Sequence, residues 1–345
     1  TTLSEERLNQ ARLSLISDAK RIRIEPIKTH LRVAWEKKNE VMRYDLANPQ
    51  RRQVRIWGTD DGTGVEIIDS NHVLDEIKEF ESSKFSKKKT PIFFQRFNQT
   101  AQVLPSDDFD PNILNIFIND LTNVVGRKAS PAYRRSVQHW ETEGSLDDDA
   151  KIHIAKVGLI SMLVPDIPHH LENVFGPPQA IKSTFLRQKK ALIDPTTLDL
   201  FLPTKLKDID KILAQNYFIC FDNFYEVNRE FSDLICAAIT GSGTQVRELF
   251  TTQTMVTLPI KACIAFSSIT RLFTQSDAVS RLLSYEFLPF AEEEGYSTED
   301  EINDRFEEIR PQILACMYHT MSKAINIRNR IHRKYSLGRM ADVLE

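Results

Sequence analysis

The sequence contains no run of about eighteen consecutive apolar residues, the length that carries a helix across a bilayer, so no membrane span is expected. Its first 24 residues, TTLSEERLNQARLSLISDAKRIRI, are charged throughout and lack the apolar stretch of a secretory leader; residues 4–24 read as a charged helix. Cysteine is scarce. Cys220, Cys236, Cys263 and Cys316 stand far apart, form no C-x-x-C pair and sit in apolar contexts such as YFICF and KACIAF. That argues against a disulfide framework and predicts buried free thiols in a reducing, cytoplasmic compartment. Of the eight histidines only His169 and His170 are adjacent, in a Pro-flanked loop with no further ligand at a useful spacing, so no metal site is expected there. Charge of one sign is lacking too. Lys and Arg number 45 against 48 Asp and Glu, a net −3. This excludes a generally basic nucleic-acid binder, but not one whose basic groups gather on a single face.

What is present is an ordinary globular composition, 41% hydrophobic and 27% charged, over 345 residues, enough for two or three cores. From about 28 to 105 the pattern is one of short β-like runs, THLRVAW, EVMRYDL, RQVRIW, GVEIID and PIFFQRF, punctuated by Asn48-Pro49, Gly58 and TDDGTG. Residues 110–125 have helical apolar spacing, AYRRSVQHWETEGSLDDDA reads as a connector, and KIHIAKVGLISML as an amphipathic helix. Beyond Leu171, apolar strand-like runs (the segment ending at Gly176, LDLFLP, YFICF, IKACIAF, LLSYEFLP) alternate with helical ones (TFLRQKKALI, LKDIDKILAQ, FSDLICAAI). That alternation predicts a parallel, helix-covered sheet. The expected division is an N-terminal helix plus β-rich domain (1–105), a helical connector (106–150), an α/β domain (151–290) and a C-terminal helical region (291–345). In the last of these, nine acids fall between Glu292 and Glu308 and none between Arg310 and Ala341.

One missing glycine matters most. VFGPPQAIKSTFL places Gly176, Pro177, Pro178, Gln179, Ala180, Ile181, Lys182, Ser183 and Thr184 between a strand and a helix. This is the skeleton of the phosphate loop G-x-x-x-x-G-K-[ST], except that Ile181 stands where the second glycine belongs. In such a loop backbone N–H groups wrap phosphates at a helix N-terminus, the lysine reaches the β/γ oxygens and the Ser hydroxyl binds Mg²⁺. If Gln179 and Ile181 must take positive φ, each costs about 1–2 kcal/mol, which weakens the loop rather than disabling it. A second element supports it: YFICFD ends an apolar strand on Asp222, as a magnesium-coordinating strand does. Forty positions separate Lys182 from Asp222, room for a helix–strand–helix excursion between what are expected to be neighbouring central strands.

With these motifs in view, residues 158–290 resemble the ATPase domain of the superfamily 3-like helicases of phage and plasmid replication, AAA+-related motors often fused to primase-polymerases. Asp222-Asn223 matches their second strand end. TGSGTQVRELFTTQTMVTLPIKACIAFSSI resembles their third block, with Arg247 and Phe250 before a β-hairpin and Ser267 as the polar sensor; Glu248 and Ser267 depart from the family's commoner residues. DAVSRLLSYEF resembles the Ser-Arg motif that delivers an arginine across a subunit boundary, here Arg281. The resemblance implies an AAA+-like P-loop sheet and an ATP- and Mg²⁺-dependent DNA helicase working as a ring, a hexamer in this group. The implied catalytic residues are Lys182, Asp222, Asn223, Ser267 and Arg281, with Ser183 and Asp222 at the metal. Arg247 and Lys261 would face single-stranded DNA in a central channel, and a primase-polymerase would be a partner or fused domain. No Walker B glutamate follows Asp222; Glu226 and Glu230 are the nearest candidates for a general base.

Plainer readings stand beside these. Lys182 could be an ordinary helix-start lysine, Asp222 a helix cap, Arg247 a residue of a solvated helix face, and the basic run AINIRNRIHRKYSLGR a solvated helix. The protein could also be a P-loop nucleotide-binding switch in packaging, partition or regulation, or an α/β interaction protein.

Overall fold

The computed structural model describes residues 29–36, 39–82, 92–121, 148–165, 167–202, 206–247, 255–288 and 298–328. The expected helix at 4–24, most of the connector, Phe250 and most of the basic C-terminal run lie outside these residues.

The first part is a four-stranded antiparallel meander, β2 (Val33–Glu36), β3 (Val41–Asp45), β4 (Gln53–Ile56) and β5 (Val65–Ile68), paired in that order. A two-residue strand β1 (Thr29–His30) pairs in parallel with β6 (Phe93–Phe94). Between β5 and β6 runs a helix, α1 (Ser70–Ser82), in a region read from sequence as strands only. A short helix α2 (Ile113–Ile116), continuing into a π-helical turn at Phe117–Leu121, follows.

The second part is mixed α/β around a four-stranded parallel sheet. After α3 (Asp148–Ser161) come β7 (Leu171–Phe175), α4 (Lys182–Ile193), α5 (Leu206–Gln215), β8 (Phe218–Phe224) and α6 (Arg229–Thr240). A hairpin of β9 (Ser242–Arg247) and β10 (Met255–Ile260) follows, then β11 (Cys263–Ser268), α7 (Ser276–Val279) and β12 (Leu282–Glu286). The spatial order is β12-β7-β11-β8, all parallel. The strands carrying the glycine loop and Asp222 are therefore not neighbours: β11 lies between them, correcting the sequence expectation.

The strands read as near-continuous apolar runs because both faces are covered. Cys220 and Ala265 face the α4 side with Phe185 and Leu186, whereas Ile219, Phe221, Ile264 and Phe266 face α6 with Phe231, Ile235 and Ile239. On the α6 side six phenylalanines interlock, with Phe221 stacked on Phe266 at 5.0 Å and Phe224 on Phe231 at 5.6 Å. LDLFLP, read as a strand, reduces to one parallel bridge, Phe201 to Phe221. Leu200 and Phe201 of this stretch pack on the core, one on each cluster, while Leu198 and Leu202 are exposed. All four cysteines are buried free thiols.

The last helix, α8 (Glu299–Ile327), opens with a Thr298/Glu301 capping box and packs against both parts. Tyr318 meets Tyr44 at 5.7 Å, and Ser322 Oγ donates to Trp57 O at 2.7 Å. A buried polar seat joins the same regions. Arg32 donates to Pro195 O (2.8 Å) and Asp194 Oδ1 (2.9 Å), Tyr44 to Ile193 O (3.0 Å), Gln102 to Leu192 O (3.1 Å) and Arg310 to Ala191 O (2.9 Å). Tyr44, Gln102 and Arg310 take carbonyls that a helix C-terminus leaves unpaired, here the end of α4, and Arg32 holds the two residues just beyond it. No helix among the described residues is long and apolar enough to cross a membrane.

Candidate functional site

The loop after β7 turns at the C-terminal edge of the parallel sheet, the edge at which open α/β sheets bind their ligands. Gly176 is required by space: a Cβ there would lie 2.1 Å from Phe287 O, and its φ is 149°. Gln179 and Ile181 are left-handed, φ 64° and 53°. The positions where glycine was missed in the sequence thus adopt the conformation glycine would favour. Ile181 is the N-cap of α4, and no side chain caps that helix N-terminus. Lys182 Nζ donates to Gly176 O (2.8 Å) and Pro177 O (2.6 Å), so the lysine lies along the loop it follows. Burial lowers its pKa, and the attraction of Asp222 opposes that shift.

Ser183, the next residue, donates to both carboxylate oxygens of Asp222, at 2.9 and 3.1 Å. Asp222 is 7% exposed. Ser267, at the end of the intervening β11, also donates to Asp222 Oδ1 and accepts from Asn223 N at 3.2 Å. Asn223 is left-handed, φ 56°, with its side chain exposed. Lys182, Ser183, Asp222, Asn223 and Ser267 therefore meet at one edge. The interposed β11 is what puts Ser267 beside Asp222.

Thr184 points elsewhere, donating to Glu299 Oε1 of α8 at 3.3 Å, and Arg187 of α4 donates to the same oxygen at 2.8 Å. Neither contact was legible in sequence. Buried Asn173 was missed too: its side chain donates to Ser268 Oγ at 2.9 Å and accepts from Leu272 N at 3.1 Å, pinning the turn after β11. The available signal was two polar residues, Glu172 and Asn173, inside an apolar strand.

Arg281 is not part of this constellation. Its carbonyl accepts from Leu171 N at 2.8 Å, at the start of β7, four residues and roughly 13 Å of strand from Phe175. Its guanidinium donates to Asp277 O at 3.0 Å and pairs with the Asp277 carboxylate, with 12% of the side chain exposed. Arg247 lies in a strand rather than on a helix face, and within the hairpin rather than before it: it pairs with Met255 at the far end of the β9–β10 ladder. Lys261 follows the base of the ladder, where Ser242 pairs with Ile260, and its side chain runs beside Gly241. The two basic residues thus occupy opposite ends of the hairpin. Glu226 and Glu230 are exposed on the segment leading from β8 into α6.

A second polar cluster lies inside the sheet's α4 face. Lys189 Nζ donates to Glu172 Oε2 at 2.6 Å, and His170 Nε2 lies 2.9 Å from Glu172 Oε1. Burial alone would raise the Glu172 pKa, but Lys189 and His170 bring it down to about 2. Buried His169 has no partner for either ring nitrogen; desolvation, with Lys261 and His170 adding repulsion, lowers its pKa to about 3.

Residues 147–344, more than half of the chain, match the family described as actinomycete integrative conjugative element replication protein. No curated protein matches the sequence. Among solved structures, the apo NrS-1 C-terminal region aligns with 85% of this chain and 72% of its own, at 12% identity and TM-score 0.42. JCV helicase aligns with 65% of this chain and 72% of its own, at 12% identity and TM-score 0.31. Likeness at that level leaves the fold to be argued from the sheet order and register.

Proposed function

Because the chain belongs to the family of actinomycete integrative conjugative element replication proteins, we propose that it is the family's ATP-hydrolysing motor, a DNA helicase or translocase that works as a ring. The observation that carries this reading is the meeting of Lys182, Ser183, Asp222 and Ser267 across three strand ends and one uncapped helix N-terminus. That N-terminus presents backbone N–H groups and the positive end of the helix dipole, which suit phosphate. The Ser183 hydroxyl and Asp222 carboxylate are hard oxygen donors, the kind that bind Mg²⁺ alongside phosphates. The ion's contribution when bound is to neutralise charge on the β- and γ-phosphates.

The chain's own groups do the rest by positioning. In this reading Lys182 exchanges the Gly176 and Pro177 carbonyls for β/γ-phosphate oxygens. Asp222 orders the shell around Ser183, and Ser267, tied to both Asp222 and Asn223, orients the attacking water or reads the terminal phosphate. Arg281 serves the neighbouring subunit's site, since it lies at the opposite edge from its own; to do so it must exchange Asp277 for phosphate charge. Arg247 at the outer end of the hairpin meets single-stranded DNA, with Lys261 at the base. The proposed division assigns 151–290 to the ATPase domain and 1–105 to the β-rich module, with a hexameric ring, a primase-polymerase partner and a cytoplasmic location as parts of the same proposal.

The test is binding of a fluorescent ATP analogue and hydrolysis with and without single-stranded DNA. Lys182→Ala should abolish hydrolysis while the circular-dichroism spectrum stays unchanged; unaltered turnover would remove the site. Mixing inactive Lys182→Ala with inactive Arg281→Ala should restore some hydrolysis, because some interfaces then pair an intact loop with a neighbour's intact arginine. If a label shows that subunits exchange and no activity returns, the trans role of Arg281 fails. Hydrolysis indifferent to DNA would favour the nucleotide-switch reading instead.

A further inference from the structure

The nucleotide reading leaves one arginine at the loop edge of the sheet unassigned. The chain leaving β11 folds back instead of running on. Ser268 Oγ donates to Thr270 O (2.6 Å), Asn173 holds Ser268 Oγ and Leu272 N, and Gly176 N donates to Ser268 O at 3.3 Å. These bonds fix residues 268–272 against the end of β7 and the first residue of the phosphate loop. Arg271 stands on this pinned turn. It is exposed, and its guanidinium carbon lies 5.2 Å from the ring centroid of Phe175, the residue just before Gly176. No carboxylate among the described residues forms an ion pair with it, unlike Arg281, which Asp277 holds at the other edge. Stacking on an aromatic ring orients a guanidinium while leaving its edge N–H donors free, and that planar fork suits phosphate oxygens.

Resting on the nucleotide reading above, we propose that Arg271 is a phosphate ligand acting in cis: its guanidinium takes the terminal phosphate of ATP held by the same subunit's Lys182 and Ser183. It forms no covalent bond and passes no proton; it offsets charge on the phosphoryl oxygens. ADP lacks that phosphate, so Arg271 makes the site prefer ATP to ADP.

The test uses the full chain with fluorescent ATP and ADP analogues. Arg271→Ala should lose most of the wild-type preference for ATP, leave ADP affinity unchanged and lower hydrolysis on the order of 10²-fold. Arg271→Lys should recover part of both, and it keeps the test open if the alanine variant fails to fold. A merely structural role for the turn would weaken ATP and ADP alike, and that outcome overturns the proposal, as does an unchanged preference. Mixed with Lys182→Ala, Arg271→Ala should gain no hydrolysis over its own residual rate, because neither protein then offers a site with both groups. Recovery of hydrolysis on mixing would move Arg271 to the neighbour's site and overturn the cis assignment. If the wild type binds neither nucleotide, the nucleotide reading falls and Arg271's role with it. If the wild type binds and Arg271→Ala matches it, the arginine assignment alone is overturned.

Discussion

Gln179 and Ile181 carry left-handed backbone in the loop between β7 and α4, and replacing each with glycine separates strain from packing. For an L-residue the left-handed region costs about 1–2 kcal/mol, all of which glycine relieves. Glycine also frees the unfolded chain, which takes back roughly 0.5–1 kcal/mol. Gln179 is exposed, so nothing else is lost, and Gln179→Gly should stabilise the protein by about 0.5–1 kcal/mol. Ile181 is half-buried and packs against the main core, so Ile181→Gly also forfeits about 1 kcal/mol of burial and should end near zero or slightly below. Urea unfolding followed by circular dichroism reads both values. Binding of the ATP analogue should be preserved in both variants, because Lys182, Ser183 and the helix N–H groups are untouched. The reasoning fails if Gln179→Gly is clearly destabilising, since the positive φ would then be held by a favourable interaction rather than tolerated as strain. It fails for Ile181 if binding weakens clearly, which would make the isoleucine a positioning element of the loop.

His169 sets a pH dependence. Its unfolded imidazole takes a proton near its ordinary value of 6.5, whereas in the fold it stays neutral to about 3. The unfolded chain thus binds the proton first, and this residue alone should lower stability by about 1.4 kcal/mol per pH unit below roughly 6.5. With both ring nitrogens unpartnered, His169→Phe should flatten that slope between about pH 6 and 4 at little cost; an unchanged slope would assign the pH dependence elsewhere. Glu172→Gln should cost about 3–5 kcal/mol by leaving the buried Lys189 ammonium without its carboxylate, and adding Lys189→Met should recover much of it. A single variant that unfolds at the wild-type urea midpoint would refute this pairing. The contribution of Glu172 is held above its ordinary pKa of 4.5 and is lost as pH falls toward about 2.

The parts of the fold that were legible in sequence are those with local causes. YFICF and IKACIAF read as strands because alternate residues feed two covered faces, and the Lys-Ser-Thr run read as a helix start because the loop and helix are contiguous. α1 was legible in principle, since Val73, Ile77 and Phe80 of SNHVLDEIKEFES recur at helical spacing, but it interrupts a strand-rich region and was passed over. The strand order was not legible, since nothing local to Asp222 says that a segment forty-odd residues later will sit between it and Gly176. The consequence reached the site itself: Ser267 could be named as a polar strand end, but its contact with Asp222 depends on that insertion. Arg281 was legible as an arginine before a strand, and its distance from the loop follows only from the parallel register that sets Leu282 beside Leu171.

The two ends of α4 explain how the first and last parts of the chain bear on the site. Its N-terminus carries Lys182 and Ser183; its C-terminal carbonyls are taken by Tyr44, Gln102 and Arg310, and Arg32 holds Asp194 and Pro195 just beyond, the four contributed by the β-rich region, the segment after it and α8. Two of these are cations at the negative end of the helix dipole, and Asp194, just past the helix, joins Arg32 to Lys190 in a fully buried ion-pair network. Breaking one partner of such a network leaves a buried charge uncompensated, so the seat resists partial opening. A twelve-residue helix is roughly 18 Å of stiff rod, so a displacement at its N-terminal end would reach this seat as a rigid-body movement. The β-rich sheet and α8 are thus both bonded to the C-terminal end of α4. The β9–β10 hairpin pairs with no strand of the four-stranded sheet and packs through β10 on α5; in the proposed reading it is the element that couples nucleotide to DNA.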